Sequence, residues 1–248
     1  MAEAEAIPAA TVIVMRDRAG KPPELLMVER AQAMSFAAGA LVFPGGRVDP
    51  GDRLLAALFA GDPDDIAARV AAVRETLEEA GVAVGLDVPL AAIPKLGRRL
   101  YAGEPMGALL EKAGGALRID ALTPFARWLP TGMRHKIFDT RFYLARAPDN
   151  AEPVVDGNEN VRVFWAGAQA VLDAADAGEA MIIFPTRRNL ERLATFASFE
   201  QAVADALGHP VETITPWVER RDGIDHLCIP DHLGYPVTAE PLGQAVRA

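Results

Sequence analysis

Cysteine is nearly missing from this 248-residue chain, in which Cys228 stands alone. No internal disulfide can form, so packing must hold the fold, and a reducing setting is the simpler reading. Basic residues are in deficit, 25 Lys and Arg against 34 Asp and Glu, giving a formal net charge of -9. That balance excludes a broad basic surface for the backbone of nucleic acid. A small anion stays within reach, because a bound divalent cation reverses the field locally. Long apolar runs are absent too, each being broken by Gly, Pro or charge, so no membrane span is expected. Met1 to Ala10 is acidic and alanine-rich and lacks the basic start and apolar stretch of a secretory leader, which makes cytoplasm the expected compartment.

Half of the residues are apolar, enough for a sizeable core. Thr11 to Met15 and Glu24 to Glu29 read as paired strands, and Ala40 to Phe43 as a short third, closed by Pro44-Gly45-Gly46. A short helical piece at Arg53 to Ala60 lies between breakers. A helix at Asp64 to Ala80 follows, with Asp62 or Asp64 near its start and Gly81 past its end. Short helices are expected around Ala91 to Lys95 and Met106 to Gly114. Strands follow at Phe125 to Leu129, Lys136 to Arg146 and Val161 to Trp165, then helices at Gly167 to Ala177 and Thr186 to Leu207, the latter capped by Thr186. The order is irregular, unlike a doubly wound fold, and points to an α/β/α sandwich with a mixed β-sheet. Gly45 and Gly46 lack the spacing of a dinucleotide fingerprint.

Each residue of a helix advances about 100°. Glu75, Glu78 and Glu79 therefore share one face, while Val70, Val73 and Leu77 lie opposite and face the core. Arg74 precedes Glu78 by one turn and can pair with it. Acids so close repel one another and oppose the helix macrodipole at its C-terminal end. Such a face is either solvated or neutralised by a cation, and magnesium suits it because that ion takes oxygen ligands and substrate phosphates.

Around this helix the sequence resembles the Nudix box, which reads Gly, five residues, Glu, seven residues, then Arg-Glu-U-x-Glu-Glu-x-Gly-U with U bulky and apolar. Gly46 opens the match within Phe43-Pro44-Gly45-Gly46, and Arg74-Glu75-Thr76-Leu77-Glu78-Glu79-Ala80-Gly81-Val82 closes it, with Thr76 at a usually apolar position. Asp52 stands where the box has Glu, and 21 residues rather than seven separate it from Arg74. A longer loop costs little extra closure entropy. The resemblance implies a Nudix-type fold over residues 1–248, with an insertion at about 53–66 and a C-terminal extension at about 209–248. It implies a diphosphate hydrolase using Mg2+, for which Mn2+ can substitute. Glu78 and Glu79 would bind metal, Glu75 would bind metal or help activate water, and the Gly46 carbonyl would be a further ligand. Arg74 would orient the carboxylates, with Asp52 as a partner. Glu159 is an additional candidate ligand from a later loop.

Upstream, Leu25-Leu26-Met27-Val28-Glu29-Arg30-Ala31, Gly39 and Phe43-Pro44-Gly45-Gly46 resemble the motif of coenzyme A diphosphatases, with Ser35 in place of its second Arg. The long insertion, Trp128 and Phe138-Asp139-Thr140-Arg141-Phe142-Tyr143 are similar to the animal peroxisomal branch of that group. This implies coenzyme A or an acyl-coenzyme A as substrate, with phosphopantetheine and adenosine 3',5'-bisphosphate as products. Arg30 with Gly45 and Gly46 would contact the substrate. A nucleotide derivative such as a dinucleotide, ADP-ribose or a nucleotide sugar is the second substrate reading, and a binding module without catalysis is the reading from another class. Arg98-Arg99 and His135-Lys136 read as solvated loop residues rather than phosphate ligands. Phe138, Phe142, Phe164 and Trp165 read as core, and His226 and His232 as tail packing without a zinc spacing. The expected partner is a small diphosphate, with no nucleic acid and no membrane; a homodimer is possible.

Overall fold

The computed structural model describes residues 6–32, 37–130, 137–149, 151–155 and 160–245. Ser35, His135, Lys136 and Glu159 lie outside the described residues. The chain opens with β1 (Ile7–Arg18) and β2 (Lys21–Arg30), an antiparallel pair in which Met15 faces Leu25. Val12, Ile13, Val14 and Met15 are all buried, as are Leu25 to Val28. Their apolar runs do not alternate because both faces of the sheet are covered. β3 (Leu41–Val42) pairs with β2. β4 (Gly45–Arg47) pairs with β1, so the Gly-Gly pair that closes the third strand itself opens a fourth.

α1 (Pro50–Ala56) and α2 (Pro63–Ala80) follow. Residues 53–66, expected above as an insertion, form most of α1, a turn and the early part of α2. Asp62 caps α2 by accepting from the Asp64 N–H at 3.0 Å, and Gly81 ends it in the left-handed conformation at φ 66°. Next come β5 (Leu86–Asp87), α3 (Ile93–Tyr101), α4 (Met106–Ala113) and β6 (Ala116–Leu117). α3 continues well past the expected Lys95, through Gly97. A Cβ at Gly97 would crowd the Leu77 carbonyl, so the glycine permits close packing on α2. Arg98 and Arg99 are thus helical rather than in a loop, and Arg99 pairs with Glu104.

β7 (Thr123–Trp128), β8 (Phe138–Arg146) and β9 (Asn160–Gly167) complete most of the main sheet, and α5 (Ala168–Asp176) starts after Gly167. The single helix expected over Thr186 to Leu207 is two helices, α6 (Phe184–Leu193) and α7 (Phe199–Gly208). Pro185 occupies the first turn of α6, which places Thr186 inside the helix rather than at its cap. Ser198 begins α7 by accepting from the Gln201 N–H. Beyond it lie β10 (Thr213–Ile214), β11 (Trp217–Arg221), β12 (Ile224–Cys228), β13 (Ala239–Pro241) and α8 (Leu242–Ala245).

Among the described residues the main sheet follows the order β10-β7-β8-β1-β2-β3, with β4 also on β1 and β9 also on β2. β1/β8 and β7/β10 are parallel and the other pairs antiparallel, so the sheet is mixed. On one face Val12, Val14, Leu26 and Val28 pack with Val70, Val73 and Leu77 of α2 and with α3 and α4. On the other, Ile13, Met15, Leu25 and Met27 meet residues of α5, α6 and α7 and the tail residues Leu233 and Tyr235. Helices on both faces of a mixed sheet make the expected α/β/α sandwich. Among the described residues no helix is long and apolar enough to cross a membrane.

Candidate active site

α2 presents its acids as its periodicity dictates. Val70, Val73 and Leu77 are buried, and fully burying such side chains is worth roughly 1.5–3 kcal/mol each, which fixes the roll of the helix. Thr76, at a position where a bulky apolar residue is usual, is also fully buried. Its hydroxyl donates to the Ala72 carbonyl one turn back at 2.7 Å, so only its methyl needs packing. With that roll set, Glu75, Glu78 and Glu79 face β4 and α1.

Arg74 is the hub. Its Nε and Nη2 donate to Asp52 Oδ1 and Oδ2, both at 2.9 Å, a bidentate pairing. Nη1 donates to Glu75 at 2.9 Å and Glu78 at 3.3 Å, and Nη2 also reaches the Arg47 carbonyl at 3.0 Å. Asp52 is itself fixed: it is only 2% exposed and accepts from the Asp49 N–H at 2.8 Å in the capping box that starts α1. The shorter acid is thus brought to Arg74 by the first turn of α1. Burial opposes the charge on Arg74, but the Asp52 hydrogen bonds and the charges of Glu75 and Glu78 outweigh it and raise its pKa further.

Glu79 turns the other way. It is 5% exposed, and its Oε2 accepts from the Gly45 N–H at 3.0 Å. Gly45 faces Thr11 across β4/β1, where a Cβ would strike the Ala10 carbonyl. Next to it, a Cβ on Gly46 would fall on the carboxylate of Glu75. The two glycines therefore let the β4 main chain come against the acids of α2. Burial pushes Glu79 up to about 8, and the neighbouring Glu75 adds to it; the Gly45 N–H, Arg30 and the Asn160 amide pull the other way. Burial likewise raises Glu75 to about 7 against the attraction of Arg74, and raises Glu78.

Arg30 ends β2 beside this group and opposite Asn160 of β9. Its Nε is buried with no hydrogen-bond partner among the described residues. Sequence reasoning missed Asn160, which is 1% exposed. Among the described residues no three His, Cys, Asp or Glu side chains stand ready to hold a metal ion. The reason is visible in the geometry: Glu75 and Glu78 are turned onto Arg74, and Glu79 onto Gly45. The donor set nevertheless suits a hard cation. Asp52, Glu75, Glu78 and Glu79 supply carboxylates in excess over the guanidiniums of Arg74 and Arg30, at buried and partly buried positions where uncompensated negative charge is costly.

Phe142 and Phe164 pack in the core on the α5–α7 side and Trp165 on the α2 side. His232 pairs with Glu212 in the tail at 3.2 Å.

The acids of one helix thus stand against a Gly-Gly strand on one face of an α/β/α sandwich. No protein-family model matches the chain. It is 33% identical to a solved NUDIX hydrolase from Alicyclobacillus acidocaldarius, with a TM-score of 0.74 covering 82% of this chain and 97% of that one. It is 25% identical over 284 residues to the acyl-coenzyme A diphosphatase NUDT19 of Gallus gallus, spanning 89% of this chain and 75% of the relative. To the Homo sapiens protein of the same name it is 26% identical over 272 residues, spanning 84% and 72%. The chain belongs to the Nudix hydrolase family, enzymes that cleave diphosphates in nucleotide-linked substrates.

Proposed function

We propose that this chain hydrolyses the diphosphate of coenzyme A or an acyl-coenzyme A, releasing phosphopantetheine and adenosine 3',5'-bisphosphate. The observation that carries the reading is the meeting of Arg30, from the upstream motif, with the acids of α2: its buried Nε has no acceptor among the described residues, and its charge acts on Glu79. A phosphate oxygen is the acceptor that position favours. The curated relatives named acyl-coenzyme A diphosphatase support the substrate class. A nucleotide derivative such as ADP-ribose is the second reading, favoured by Ser35 in place of the motif's second Arg.

In this reading Glu78, Glu79 and the Gly46 carbonyl would hold Mg2+ or Mn2+, with Glu159 as a further candidate ligand. When bound, the ion supplies positive charge beside the diphosphate and makes a nearby water more acidic. Glu75 either shares the ion or takes the proton of the attacking water. The water oxygen bonds to one phosphorus as the bond from that phosphorus to the bridging oxygen breaks, and the bridging oxygen leaves on the other phosphate. Arg74, fixed by Asp52, holds Glu75 and Glu78 in place through this step. Arg30 binds a non-bridging oxygen.

A product assay tests this. Coenzyme A, an acyl-coenzyme A, NADH, ADP-ribose and a dinucleotide are each incubated with Mg2+ and with Mn2+. Cleavage of coenzyme A or its acyl form with the highest kcat/KM supports the substrate, and preference for another moves the assignment to the second reading. Turnover of none of them sinks the catalytic reading altogether.

A further inference from the structure

Glu79 is the most enclosed of the three acids, and the residues around it come from three separate strands. Gly45 of β4 donates its N–H. Arg30 ends β2, and Asn160 begins β9 directly opposite it, in a register that shifts at Glu29/Arg30. The Asn160 amide hydrogen-bonds the Glu79 carboxylate from a side chain that is 1% exposed. An Asn at a strand start has no intrinsic reason to be so deeply buried, since such residues favour exposed turns. The nearest end of α2 is held as well: the Val154 N–H donates to the Ala80 carbonyl, the residue after Glu79, at 2.8 Å.

We infer that Asn160 is a positioning residue for Glu79: its amide N–H and the Gly45 N–H together fix the plane of that carboxylate, leaving its remaining lone pairs directed to the metal site. This inference rests on the reading of Glu79 as a metal ligand. A carboxylate has about four acceptor positions, and two donors arriving from different strands define both its tilt and its rotation. A Gly45 N–H alone leaves rotation about the last side-chain bond free, since that torsion is soft. Groups that orient a metal's ligands typically contribute 10–100-fold in affinity or activity.

The experiment is a double-mutant cycle read by Mn2+ binding to the metal-free full chain and by kcat and KM with Mg2+. Asn160→Ala removes the donor; Asn160→Leu removes it while filling about the same volume, and carries the test if the smaller variant melts early. The expected result is a Mn2+ dissociation constant weaker by about 10–100-fold and a lower kcat with KM for substrate nearly unchanged. In a Glu79→Gln background, the Asn160 substitution should have no further effect, because it acts through Glu79. Loss of the same factor in both backgrounds overturns the inference, since a merely structural role is additive. Wild-type Mn2+ affinity in the Asn160 variants that keep the fold overturns it as well. If Glu79→Gln alone leaves Mn2+ binding unchanged, the ligand assignment fails first and takes this inference with it.

Discussion

Arg74 and Asp52 are joined by two hydrogen bonds of 2.9 Å each across 21 intervening residues. Asp52 is thereby both the N3 half of the capping box at the start of α1 and the partner that aims the guanidinium at the acids. Replacing it by Ala leaves a largely buried Arg74 without its bidentate partner and removes the α1 capping box. A loss of about 3 kcal/mol in unfolding free energy is expected, together with a fall in kcat. Asp52→Glu should not restore the wild type, because one extra methylene displaces a carboxylate that must meet both the Asp49 N–H and Arg74. Urea denaturation of both variants checks this; wild-type stability for Asp52→Ala would refute it.

Gly46→Ala places a methyl where the Glu75 carboxylate now lies. A misplacement of about 1 Å near reacting groups costs on the order of 100-fold in rate. Turnover should fall by that order. Unfolding free energy should change less, because Glu75 can swing away into the site. Steady-state kinetics beside a thermal melt separates the two, and an active Gly46→Ala enzyme would show that Glu75 is not held against β4 during turnover.

Metal should stabilise the fold through the acids of α2. A ligand at 100 times its dissociation constant adds about 2.7 kcal/mol. Saturating Mn2+ should therefore raise the melting temperature of the wild type, and EDTA should reverse it. In Glu78→Gln and Glu79→Gln the increment should shrink, with turnover greatly reduced and the fold intact. An equal increment in both variants, or normal activity in both, would remove these residues from the site.

Far from the acids, Glu191 of α6 is raised to about 7 by burial, despite the attraction of Arg188. A folded-state value above the ordinary 4.5 means that the native protein binds more protons than the unfolded chain between those values. Its contribution is therefore fully present below about pH 4.5 and is lost as pH rises towards 7. Glu191→Gln should flatten the fall of stability across that window by up to about 1.4 kcal/mol per pH unit. Guanidinium titrations at pH 5, 6 and 7 measure the slope; an unchanged slope would count against the shift.

Tyr235, in the tail beyond β12, donates to Asn189 of α6 at 2.8 Å in the core on the far side of the sheet. Tyr235→Phe should cost about 1–2 kcal/mol, leaving a buried amide oxygen without its donor. Mn2+ affinity and kcat/KM should stay at wild-type values, since the sheet separates this contact from the acids. A parallel loss of metal binding would show instead that the tail helps to shape the site.

α2 was legible in the sequence because three independent signals coincide there: apolar spacing, Asp62 at one end and Gly81 at the other. The grouping of Glu75, Glu78 and Glu79 on one face followed from helical periodicity alone. Asp52 was harder, since its contact with Arg74 depends on the path of α1, which no local pattern encodes. The break between α6 and α7 was hidden by an apolar stripe that continues through Ala194, although Ser198 was present as a cap signal. Asn160 could not be found at all from spacing. Its approach to Glu79 depends on β9 lying antiparallel to β2 with a register shift beside Arg30, a long-range pairing.

The parallel pairing of β1 with β8, running from Ile7 opposite Phe138 to Met15 opposite Arg146, has a kinetic consequence. During synthesis β1 can meet β2 and β4 early, but its other edge waits for more than a hundred further residues. Distant parallel pairings form slowly, and an open strand edge invites association with other chains. Assembly of the acid helix can thus precede closure of the sheet beneath it, and nascent chains halted before Phe138 should be the aggregation-prone species.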